Sequence, residues 1–283
     1  MSDLHSFYYE TIEALNKVGF DLNNPDHIFV LCGDLFDRGD GTLELLDFIR
    51  NKIPKERRIL IRGNHEYLLL ELVNKHKPED HDFSNGTVKT CYAFKHINFK
   101  GTSKYSVNQE SWAKVLRSNN LKSVIKWIHS DEWVNYFELG RFIFVHSFIP
   151  LSTNSILPAY YLNSSNFTYI ENWRTNSNCL QWEDATWGCP WRLFKSGLFN
   201  KEIEKGKCLV VGHWHTPDFH YHLSKTPTLE DVGNYEMYYS DNLIALDACT
   251  TLTRFCNVLV IEENNNKFVL KDRHLKELGT FEM

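Results

Sequence analysis

HIFVLCGDLFDRGDG (residues 27–41) runs an apolar stretch straight into three acids and an arginine. The six residues from His27 to Cys32 have the make-up of a buried strand. Asp34, Asp37, Arg38 and Asp40 follow without a break. Charge packed against the end of a buried strand is costly unless something neutralises it. A ligand or ion is therefore expected among Asp34, Asp37 and Arg38.

The surroundings set the fold class. Residues 6–18 have helical spacing, with Tyr8, Ile12, Leu15 and Val18 on one face and Gly19 as the stop. TLELLDFIRNKI then reads as a helix, RRILIRG as a second strand and HEYLLLELVNKH as another helix. Strand, loop, helix, repeated, is the pattern of a parallel α/β sheet, where ligands bind at strand-to-helix junctions. Between residues 75 and 132 the rhythm changes. HDFSNGTVKTCYAF is polar and turn-rich and SWAKVLRSNNLKSVIKWI is helical, which predicts a helical cap inserted into a single domain spanning 1–283. From VNYFELGRFIFVHSF onward strands dominate, with hairpins predicted at ELG and EENNNK.

Composition excludes some functions. Apolar residues make up 42% of the 283, enough for a sizeable core, and the net charge of −5 gives no bulk case for nucleic acid or membrane partners. No apolar run is long enough to span a bilayer. Seven scattered cysteines without a C-x-x-C pair read as reduced thiols of a cytoplasmic protein, with Cys32, Cys208, Cys249 and Cys256 in apolar runs as core residues.

Five stretches concentrate polar residues, most of them at the ends of apolar strands: SDLH (2–5), GDLFDRG (33–39), GNHE (63–66), VHS (145–147) and GHWHT (212–216). Each alone has a bland reading as a turn, a cap or a satisfied histidine. His27, His76, His96, His129 and His274 are left in that class. Together, mixed nitrogen and oxygen donors in this order suit two first-row transition ions, which clamp the oxygens of a phosphoryl displacement.

The ordered set D-x-H, G-D-x-x-D-R-G, G-N-H-E, strand-end His and G-H-x-H resembles the calcineurin-like metallophosphoesterases. The DRG form resembles the branch of Ser/Thr phosphoprotein phosphatases and bacterial diadenosine tetraphosphatases, and ALDACTTLTRFCNVLVI is similar to the closing strands of bacterial and phage members. The resemblance implies a β-sandwich flanked by helices in α/β/β/α layers. It implies that Asp3, His5 and Asp34 hold a first divalent ion, with His215 adding a ligand. Asp34 would bridge to a second, completed by Asn64, His146 and His213. Manganese is the expected metal, with iron or zinc as alternatives. A bridging hydroxide would attack phosphorus in line. His65 would protonate the leaving oxygen, Asp37 would orient His65, and Arg38 would grip the phosphate with its planar fork. Arg192, in WEDATWGCPWR, is the expected second phosphate clamp, with Arg174 next. Trp173, Trp182, Trp187 and Trp191 either line the groove or pack.

The implied activity is hydrolysis of a phosphomonoester, on protein or a small molecule. The alternatives are a nucleotide or dinucleoside polyphosphate hydrolase, or a truncated, inactive relative. The last arises because the resemblance places an apolar strand before the first Asp, whereas Met1 and Ser2 precede Asp3. A first strand upstream of Met1 is expected on that ground. Oligomeric state is not fixed by these patterns.

Overall fold

Three parallel strands open the fold in this computed structural model, which describes residues 1–155, 162–200 and 202–282. They are β1 (Phe29–Cys32), β2 (Arg58–Ile61) and β3 (Trp133–Val134), side by side in that order. β4 (Phe137–Leu139) and β5 (Phe142–Phe144) then form the hairpin expected at ELG, with Gly140 at φ +54° in its turn. After a small ribbon, β6 (Leu151–Thr153) and β7 (Phe167–Tyr169), the chain adds β8 (Cys208–Val211), β9 (Tyr238–Ser240) and β10 (Leu243–Ala245). The second sheet has the order β4-β5-β8-β10-β9, with β5, β8 and β10 parallel. β11 (Val260–Asn264), β12 (Lys267–Lys271) and β13 (Glu277–Glu282) form an antiparallel sheet. Asn265 and Asn266, both at positive φ, make the tight turn expected in EENNNK.

The layering follows from the period of two along each strand. Cys32, Ile61, Phe142, Phe144, Cys208, Val210 and Ile244 share one apolar cluster between the two sheets. Their neighbours point the other way. Leu31 and Leu60 join the side chains of α1 (Tyr8–Lys17), α2 (Thr42–Asp47) and α3 (Asn64–Leu72). Ile143, Val145, Leu209, Val211, Leu243 and Ala245 face residues 173–219. The result is the four-layer α/β/β/α sandwich.

The stretch read as polar and turn-rich is helical. α4 (Asp80–Asn85) and α5 (Thr87–Ala93) meet at Gly86, whose φ of +91° turns the chain between them. A capping box between Glu79 and Asp82 starts α4, a local signal masked by the many polar residues. α6 (Gln109–Leu116) and α7 (Asn119–Ile128) follow. Cys91, Trp112, Val124 and Trp127 from this segment lie in the same cluster as Leu31 and Leu60. Cys249 is half-buried in the loop after β10 rather than in the core, because its φ of +50° has already left the strand.

Residues 1–3 lie along β1. The Met1 amino group donates to the Val30 carbonyl at 3.0 Å, and Cys32 N–H donates to the Met1 carbonyl at 2.8 Å. Met1 is buried, and burial lowers the pKa of its amino group. Among the described residues, no helix is long and apolar enough to cross a membrane.

Trp112 is fully buried where the α4–α7 segment meets the rest of this core. Trp112→Ala is expected to lower stability by about 3–5 kcal/mol, the usual loss for a buried aromatic. Urea unfolding followed by circular dichroism should stay a single transition at a lower midpoint. A separate early transition carrying the whole loss would show that the helices do not share the core.

Candidate metal centre and active site

The carboxyl ends of β1, β2, β5, β8 and β10 point to one place, so the segments that follow them meet. They surround a cavity of ≈ 280 Å³ whose lining includes Asp3, His5, Asp34, Asn64, His65 and His213. Gly63 and Gly212 allow the approach. A Cβ on Gly63 would meet Asp34 Oδ1 at 2.2 Å, and one on Gly212 would meet Asp3 Oδ2 at 2.1 Å.

Asp34 is the hub. His5 Nε2 and His65 Nε2 stand 3.7 and 3.9 Å from its Oδ2, and His146 Nε2 stands 3.5 Å from Oδ1. Donor atoms of Asp34, His146 and His213 form one compact group, and those of His5, Asp34 and His65 another, each within 4.8 Å. Asp34 belongs to both, as a bridging ligand would. His5 Nδ1 donates to the Phe36 carbonyl and His146 Nδ1 to the Cys32 carbonyl. With Nδ1 committed to a carbonyl, the Nε2 of each ring is the atom left to face the cavity as a ligand. His146 Nε2 then faces Asn64 Oδ1 at 2.8 Å, acceptor to acceptor. That pairing, beside a buried carboxylate, fits a cation.

The charges support the same reading. Asp3 is buried, and its carboxyl is raised well above its usual range by burial, then by Asp247 and Asp34. Burial acts to raise Asp34 too, but His146, His65, His5 and His213 outweigh it and hold it low. His213 is lowered to about 3 by burial and by His146. Among the described residues, the ion pairs of Asp34 within 4 Å are with histidines alone. The donor set therefore fits two divalent ions: His5 and Asp34 towards one, Asp34, Asn64, His146 and His213 towards the other. Asp3 stands apart from these compact groups, with both oxygens accepting His213 N–H at 3.0–3.1 Å.

Backbone conformation carries strain here. Asp3, His5, Asp34, Asp37, Arg38 and His213 all have φ between +46° and +78°. Such conformations cost about 1–3 kcal/mol each for residues with a Cβ and persist only when neighbours hold them. Glu66 is one such neighbour. Its buried carboxylate accepts N–H groups of Asp34, Leu35 and Gly63 at 2.7–3.0 Å, tying the turn after β1 to the turn after β2. Burial and Asp34 push the Glu66 carboxyl up to about 7.

His65 and Asp37 meet as expected from the sequence, Nδ1 to Oδ2 at 2.6 Å. Thr87 and Thr90 hydroxyls donate to the same carboxylate at 2.7 and 2.6 Å, so Asp37 is held from three sides. Burial acts to lower the His65 pKa, but Asp34 and Asp37 outweigh it and raise it. Arg38 is exposed at the rim, with Nη2 3.4 Å from His65 Nε2.

Other expected residues lie elsewhere. Arg192 sits over the Trp191 ring, and Arg174 pairs with Glu204 and Glu138; neither lines the cavity. Trp173 and Trp182 are buried in the core, and Trp191 stacks on His222. Trp187 does line the cavity. His215 lines it too, with Nε2 3.8 Å from Asp247 Oδ2. Asp247, Trp214 and Asn85 also line it and were missed. Asp247 had a signal: like Asp34, it follows an apolar strand directly.

The sequence profile of the calcineurin-like phosphoesterase family matches residues 1–246. A symmetrical bis(5'-nucleosyl)-tetraphosphatase from Proteus mirabilis is 36% identical over 83 residues, which cover 28% of this chain and 29% of that protein. An asymmetrical one from Halalkalibacterium halodurans is 30% identical over 71 residues, 23% of this chain and 29% of that protein. The chain thus matches less than a third of the length of these curated relatives. A Saccharomyces cerevisiae protein serine/threonine phosphatase with similarity to human phosphatase PP5 has a TM-score of 0.45 at 14% identity, covering 100% of this chain and 78% of that one. That likeness is too weak to carry an argument.

Glu66→Gln tests the brace. An amide can offer one oxygen, not two, to the three N–H groups. A buried donor left unpaired costs about 1–3 kcal/mol. Urea unfolding in EDTA should show a loss of that size, and an unchanged midpoint would mean the turns do not depend on Glu66.

Proposed function

We propose that this chain, which belongs to the calcineurin-like phosphoesterase family, is a two-metal phosphoric ester hydrolase acting on a terminal phosphate ester. The supporting observation is that His5, Asp34, Asn64, His65 and His213 line one cavity, with His146 against Asp34 and Asn64 and Asp37 against His65. Two divalent ions, manganese for preference and iron or zinc as alternatives, supply Lewis acidity when bound: they neutralise phosphate charge and make water acidic.

The chain's own residues do the rest. Arg38 presents two N–H groups to phosphate oxygens from the rim, where a lysine would offer only a point charge. His65 carries a proton on Nε2, favoured by Asp34 and Asp37, and passes it to the departing oxygen. Asp37, fixed by Thr87 and Thr90, keeps Nδ1 protonated so that Nε2 faces the substrate. The ≈ 280 Å³ cavity is just below the usual range for ligand sites, about 300–1,000 Å³. Arg38 is the one arginine or lysine among the described lining residues, enough to grip a single phosphate group, which supports a monoester. A dinucleoside polyphosphate is the second reading, favoured by Trp187 and Trp214 on the cavity wall, where a base stacks well, and by the names of the relatives.

The test is a panel of p-nitrophenyl phosphate, its bis-ester, a phosphopeptide and diadenosine tetraphosphate, with Mn²⁺ and after exhaustive EDTA dialysis. The proposal expects p-nitrophenyl phosphate and the phosphopeptide to be cleaved fastest and all activity to need metal. Preference for the tetraphosphate would establish the second reading, and full activity without metal would overturn both. His65→Ala should lose about 10²–10⁴-fold on the phosphopeptide and less on p-nitrophenyl phosphate, whose leaving group departs without a proton. Equal losses on the two would remove His65 from the acid role.

A further inference from the structure

Asp247 is buried, lines the cavity and has no place in the ligand set read from the sequence. Its Oδ1 accepts Cys249 N–H at 2.8 Å, and its backbone carbonyl accepts Thr216 N–H at 3.0 Å, so the loop after β10 is locked against the start of α10 (Thr216–Leu223). Its Oδ2 has His215 Nε2 as its ion-pair partner at 3.8 Å, beyond hydrogen-bond reach. Asp3, likewise buried, lines the same cavity, its oxygens held by His213 N–H two residues before His215. No lysine or arginine within 4 Å pairs with either among the described residues. Two buried carboxylates and an imidazole lining one cavity, with no lysine or arginine paired to either acid among the described residues, are donors that suit a cation.

We propose that Asp247 is a further metal ligand, joining Asp3 and His215 at the end of the cavity that takes up the first ion. This rests on the two-metal reading. The rival role is a structural one, in which Asp247 only accepts Cys249 N–H and steadies His215. The two roles differ in what the protein does without metal. A ligand carboxylate repels Asp3 in the apo protein and is stabilising only with the ion bound. A structural acceptor is stabilising in both states.

Asp247→Asn separates them. Mn²⁺ binding to EDTA-treated protein is followed by calorimetry, alongside the melting temperature in EDTA and in Mn²⁺. The wild type should bind two ions per chain. The variant should keep one site and lose more than about 100-fold at the other, beyond the 10–100-fold typical of an outer partner. Its melting temperature in EDTA should equal or exceed that of the wild type, and its gain from Mn²⁺ should shrink. Two sites within 100-fold of wild type, or a lower melting temperature in EDTA, would overturn the assignment. A wild type that binds fewer than two ions would instead overturn the two-metal reading.

Discussion

Three carboxylates, Asp3, Asp34 and Asp247, are buried around one cavity; among the described residues Asp34 and Asp247 have histidines as ion-pair partners, and Asp3 accepts a backbone N–H. Placing like charges together away from water is among the most expensive arrangements a protein can hold. The rest of the site is explained by that constraint. Imidazoles with their Nδ1 atoms committed to backbone carbonyls face the same space, leaving acceptor atoms to meet acceptor atoms. A cation set between them resolves such a contact without dispersing the groups.

The sandwich makes the convergence possible. Parallel strands in both sheets end on one side, so each delivers its next residue to the cavity without a long loop. Their alternate side chains are consumed by three apolar clusters, which fix the strand ends in space. The turns beyond them are strained, and Glu66 holds two of them through three backbone amides. Packing energy far from the cavity thus maintains a geometry that the local chain would not choose.

Much of this was legible in the sequence. Asp34, Asp37, Asn64, His65, His146 and His213 stand in short motifs after apolar strands, and the roles expected of them came from the family resemblance those motifs carry. The hairpins at Gly140 and at Asn265–Asn266 were legible for a local reason. What was not legible depends on contacts between distant segments. Thr87 and Thr90 reach Asp37 only because Gly86 turns α5 against the loop after β1. Arg192 and Arg174 were expected from the place of their segment in the family resemblance, but contact with the Trp191 ring and pairing with Glu204 hold them elsewhere. Asp247 was passed over because a single acid after a strand carries no motif.

The central claim is that Asp34 joins two metal sites into one centre. The most direct measurement is the metal content of wild-type and Asp34→Asn protein, by mass spectrometry after loading with Mn²⁺ and gel filtration. The account predicts two ions per chain in the wild type and loss of both in the variant, with the fold retained by circular dichroism. Two ions retained by Asp34→Asn would contradict it.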